Sequence, residues 1–139
     1  MKSPETEVEA RVRAARFLHG LGQFDRGLAL LDSIRSAPAD LELRYFSQLV
    51  RGQLLAASGR LDDAAAAFRG ALAAWPGAQS ARVALMTLSL SRGNREEAAS
   101  LAEAVQMAAA DQYDPWWTYW LGDYRAYPAV LEKLRELGR

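Results

Sequence analysis

The 139-residue chain contains no cysteine. Disulfides, thiolate nucleophiles and cysteine-ligated metals are therefore excluded. It has a single histidine, His19, so every Ser-His or Cys-His pair except one built on that residue is excluded, along with most metal sites. Lysine is nearly missing: of 17 basic residues, only Lys2 and Lys133 are not arginine. The same number of Asp and Glu brings the formal net charge to zero, so no bulk field attracts nucleic acid or anionic lipid. No stretch approaches the roughly 20 apolar residues of a membrane span. The opening Met-Lys-Ser-Pro-Glu-Thr-Glu also lacks the apolar run of a secretory leader. These absences lead to the expectation of a cytoplasmic chain with no cofactor, no nucleic-acid partner and no membrane insertion.

What is present is helical. Half of the residues are apolar and 24% are charged, a globular balance with enough chain to bury one core. Ser3-Pro4 with Glu5 and Glu7 forms a helix start, running to about His19. A second pattern, Phe24, Leu28, Leu31 and Ile34, continues to about Arg35, before Pro38. Asp40 caps a helix over Leu41 to Ala57, and its partner runs from Leu61 to Ala74, stopped by Trp75-Pro76-Gly77. Further helices are predicted from Gln79 to Arg92 and, behind a capping box of Asn94 and Glu97, to about Ala109. Asp114-Pro115 opens a short seventh helix to Leu121. An eighth starts near Tyr127 and carries Val130, Leu131, Leu134 and Leu137. The glycines between partners, Gly22, Gly59, Gly93 and Gly122, are spaced by 37, 34 and 29 residues.

Residues 45–78 carry a fixed set of offsets: Gly52, Gly59, Ala64, Phe68, Ala71 and Pro76. This stretch resembles a tetratricopeptide repeat, a helix–turn–helix unit of about 34 residues. Gln48 and Arg51 depart from it where Trp and Leu are usual. The resemblance is strongest over 45–78, continues with departures over 8–110, and is weak beyond. It implies an all-α solenoid of about four antiparallel hairpins, eight helices in all, within one domain spanning 1–139. The hairpins are placed at about 4–36, 40–75, 78–110 and 114–138, the last an atypical cap. A right-handed superhelical arc is expected.

The resemblance further implies a concave groove lined by the first helix of each hairpin. Carried over by register, the groove receives Arg13, Arg16 and His19 from the first hairpin and Phe46, Leu49 and Gln53 from the second. Val83 and Thr87 come from the third, and Trp116, Tyr119 and Trp120 from the fourth. Its character grades from basic through apolar to aromatic, suited to a protein or peptide segment that is apolar with an acidic end. A competing reading pairs Arg13 and Arg16 locally with Glu9 or Glu5. Family members that grip a C-terminal carboxylate use Lys, Asn, Asn, Lys and Arg at set positions. Here those positions hold Val12, Arg16, Val50, Ser80 and Ala84, so that clamp is missing. No acid–base couple or nucleophile is placed, and the implied role is a non-enzymatic interaction scaffold. The alternative is an assembly module contacting another copy, as a homo-oligomer, or the rest of a larger parent chain.

Seven of the 13 aromatics fall between Tyr113 and Tyr127. Trp117 matches the offset of Phe17, Leu54 and Leu88, a core position, while Trp116 and Trp120 are open to either core or binding roles. Residues 123–139 are expected to cover this cluster. A chain ending at Gly122 should then aggregate or lose cooperative unfolding in a denaturant melt. An unchanged, monomeric melt would mean that the aromatics are not covered by that helix.

Overall fold

A computed structural model describes residues 4–107 and 114–116. Six α-helices account for the first of these ranges: α1 (Pro4–Gly20), α2 (Phe24–Asp32), α3 (Leu41–Ala57), α4 (Leu61–Ala74), α5 (Gln79–Ser91) and α6 (Arg95–Met107). No strand occurs among the described residues. The expected eight helices are thus six here. The seventh and eighth lie outside the described residues except for Asp114–Trp116, as do Gly122 and the predicted cap. Three hairpins form, α1–α2, α3–α4 and α5–α6, and they stack through α1–α3, α2–α3 and α4–α5.

The three hairpin turns are one structure made three times. Gly22, Gly59 and Gly93 all have positive φ, between 74° and 80°, a region that L side chains enter only at a cost. At each turn the glycine N–H reaches back to the carbonyl three residues earlier. The next residue's N–H then bonds the carbonyl five residues before it: Gln23 to Leu18 at 2.8 Å, Arg60 to Leu55 at 2.9 Å and Asn94 to Ser89 at 2.8 Å. These paired bonds close each first helix and aim the chain into the second.

Helix starts follow the side-chain chemistry. Leu43 N donates to Asp40 Oδ1 at 2.9 Å, and Glu97 N donates to Asn94 Oδ1 at 3.2 Å, so both predicted caps form. The end of α2 falls at Asp32 rather than at Arg35. There Ile34 N turns back to Leu31 O instead of continuing the helical pattern to Leu30 O, to which the Ser33 hydroxyl donates at 2.5 Å. The helix thus ends before Pro38 comes into play. Helix α5 closes at Ser91, one residue short of the predicted end, and Leu88 O accepts from both the Ser91 hydroxyl and Arg92 N.

The core is a single cluster running from Val12 and Ala15, through Leu31, Tyr45, Leu49, Leu54 and Phe68, to Ala81 and Leu88. Its tightest point is the crossing of α3 and α4. A Cβ added at Gly52 would run into the Phe68 ring, so glycine is what allows the ring to approach the α3 backbone. One core expectation fails. Phe17 is 45% exposed, because α1 packs on α2 and α3 through the side bearing Val12, Ala15 and Leu18 and leaves Phe17 on its open side.

The Gly52–Phe68 contact is testable by a double-mutant cycle in urea melts. Phe68→Ala should cost about 3–5 kcal/mol through the cavity it leaves. Gly52→Ala should cost about 1–3 kcal/mol by overpacking, less the roughly 0.5–1 kcal/mol that alanine gains over glycine in a helix. Combined, the new methyl enters the vacated space, and the pair should cost clearly less than the sum. Additivity within about 0.5 kcal/mol would mean that the two residues do not touch.

Candidate interaction surface

The first helices of the three hairpins converge on one short segment, Asp114–Trp116. Asp114 is fully buried. Its Oδ1 accepts from Tyr45 Oη of α3 at 2.9 Å and from Trp116 N at 2.9 Å, and its Oδ2 accepts from Ser80 N in the first turn of α5 at 2.8 Å. Burying a carboxyl group without partners is expensive, and here three donors meet both oxygens. Pro115 is fully buried beside it. Trp116, 9% exposed, tilts against Phe46 at 6.0 Å between ring centroids, and the Arg16 guanidinium of α1 lies 5.4 Å from its own ring centroid.

Each sequence-predicted residue has a definite place. Arg16, Phe46 and Trp116 come together as described. Arg13 takes the local pairing, its guanidinium bonding Glu9 Oε1 at 2.9 Å one turn away. His19 packs on Phe24 across the first turn, with centroids 5.7 Å apart, and burial, followed by the nearby Arg16 charge, lowers its pKa. Leu49 is buried in the core, and Gln53 is half-buried, its Oε1 enclosed. Val83 and Thr87 lie exposed on α5, one turn apart, with the Thr87 hydroxyl donating to Val83 O at 2.9 Å. Tyr119 and Trp120 lie outside the described residues.

Sequence reasoning took Asp114 for a helix-start charge and did not single out Tyr45. Asp114 does serve as such a cap for Trp116 N, and it also binds two other helices. No local pattern carries that information, since Tyr45 and Asp114 are 69 residues apart. The one available signal was a tyrosine on an otherwise apolar stripe, whose hydroxyl must find a partner once buried. Among the described residues, no three His, Asp or Glu side chains gather as a metal site, and no helix is long and apolar enough to cross a membrane.

Sequence comparison matches the part of the chain that holds the Gly59 and Gly93 turns and Phe68. Residues 55–118 match the family model described as tetratricopeptide repeat. The match supports a tetratricopeptide-repeat helical protein. The match runs from the end of α3 through α6 and takes in Asp114–Trp116, reaching further than the offsets of 45–78 alone suggest. No curated protein and no solved structure matches the chain. Tetratricopeptide repeats generally mediate protein–protein interaction.

Burial raises the pKa of the Tyr45 phenol, and the adjoining Asp114 carboxyl raises it further. A phenol held protonated in the fold contributes stability that is fully present below the ordinary tyrosine value of about 10 and is lost as pH rises above it. Denaturant midpoints of the native chain should therefore fall more steeply above pH about 10 than those of Tyr45→Phe. At neutral pH, Tyr45→Phe should cost about 1.5–3 kcal/mol, the range for a hydrogen bond to a charged group. Superimposable pH curves for the two chains would refute the buried pairing.

Proposed function

We propose that the chain is a non-enzymatic scaffold that binds a polypeptide segment on the face shared by α1, α3 and α5. One observation carries this reading: that face already seats a piece of polypeptide, Asp114–Trp116, through side chains or backbone of all three helices. Repeat arrays recognise extended or helical segments in this manner, with successive units reading successive positions. The exposed Val83 and Thr87 extend the same series of positions along α5. The partner is a protein segment that is largely apolar with an acidic end. The zero net charge supports a peptide ligand over a nucleic acid.

Immobilised chain and an extract of the source cell provide the test. Val83→Arg changes an exposed residue, so its effect on stability should stay within about 0.5 kcal/mol. A partner retained by the native chain should be lost with Val83→Arg and kept by Ala29→Arg, which alters an exposed position on α2. Equal retention by both variants would rule out this face. A concentration-dependent dimer in sedimentation, dissolved by Val83→Arg, would instead support the assembly alternative.

A further inference from the structure

We propose that Asp114–Trp116 occupies a ligand seat, and that the external ligand of this seat is a partner segment in which an acidic residue and a proline precede an aromatic one. The inference rests on the scaffold reading above and gives its partner a chemistry. Three features of the seat support it.

The first is the Tyr45 hydroxyl. Tyr45 belongs to a core cluster of aliphatic and aromatic side chains, and packing of one hairpin on the next requires only its ring. Its polar end donates to the Asp114 carboxyl at 2.9 Å and also interacts with the Ser80 side chain, so it lies among the groups that meet the acid. Together with the Ser80 N–H it forms a two-donor fork for a carboxylate, built from two different hairpins.

The second is the aromatic position. Phe46 offers a ring to one side of Trp116, and Arg16 brings a guanidinium against the indole. Tryptophan and arginine contacts of this buried kind dominate interface energetics. The third is the distribution of the work. Arg16 comes from α1, Tyr45 and Phe46 from α3, and Ser80 from α5, so three consecutive hairpins contact the acid and the aromatic residue on either side of Pro115.

The cis segment fixes what the seat accepts, and it also sets the competition. A tethered segment acts at an effective concentration in the millimolar range. An external segment of the same chemistry must therefore displace it, and binds more weakly to the native chain than to one whose own segment has been weakened.

The probe is a fluorescently labelled octapeptide, Tyr-Asp-Pro-Trp-Trp-Thr-Tyr-Trp, titrated by anisotropy into the full-length chain. The host carries Asp114→Ala with Trp116→Ala. Saturable 1:1 binding is expected, about tenfold to a hundredfold weaker for a peptide with Asn in place of Asp. Should the double variant fail to melt cooperatively, Asp114→Asn is the milder host, and it should bind the Asp peptide at least tenfold more tightly than the native chain. No binding, equal binding of the Asp and Asn peptides, or equal binding by Asp114→Asn and native chains overturns the inference. A cellular partner lost with Val83→Arg but unmoved by excess octapeptide keeps the scaffold reading and overturns only this one. A dimer of the native chain that the octapeptide dissolves assigns the seat to a second copy instead of a separate partner.

Discussion

A carboxyl group taken out of water must be met by donors, and the whole arrangement around the repeat face follows from meeting that demand at Asp114. Its two oxygens collect one phenol and two backbone N–H groups. Those donors lie on α3, on α5 and next to Trp116 itself, so satisfying the acid also fixes the indole against Phe46 and Arg16. Remove the acid and nothing in the aromatic contacts alone selects this position over a shift along the face. The polar bonds set the register, while the rings and Pro115 supply most of the buried apolar area.

Much of the helical frame was legible from short-range chemistry. The limits of α3 and α4 are those expected from Asp40, Gly59 and Trp75-Pro76, because each signal acts within one turn of the residue that carries it. Gly52 and Phe68 were legible as partners since a repeat unit fixes their offset, and the ring indeed occupies the space a Cβ would need. The end of α2 was misread for an equally local reason. Proline at 38 is a conspicuous stop, but the chain leaves the helix earlier, where Ile34 N turns back to Leu31 O. Phe17 shows a different limit. An offset that is buried in α3 and α5 predicts burial only where a neighbour covers it, and α1 turns that side outward.

The face itself was legible in composition and not in arrangement. Arg16, Phe46 and Trp116 were assembled on it from register, yet periodicity could not tell that Trp116 would lie on residues of α1 and α3. Pairings between residues 69 positions apart leave no periodic trace. Arg13 illustrates how an open choice resolves: Glu9 stands one turn away, and a short local pair formed on a helix costs little entropy to hold. The family match reaching residue 118 accords with the structure here, since it includes the segment that lies on the face.

Repeat arrays ordinarily behave as one-dimensional chains, each unit stabilised by its neighbours and free to fray from either end. The bond from Tyr45 to Asp114 breaks that rule, linking the second hairpin to a point beyond the third. It closes a loop of chain around α4, α5 and α6, so loss of one of these helices is felt at both ends of the loop. Such closure raises the mean sequence separation of contacts, a quantity that slows folding. A long-range link of this kind works against the fraying from one end that a purely linear solenoid permits.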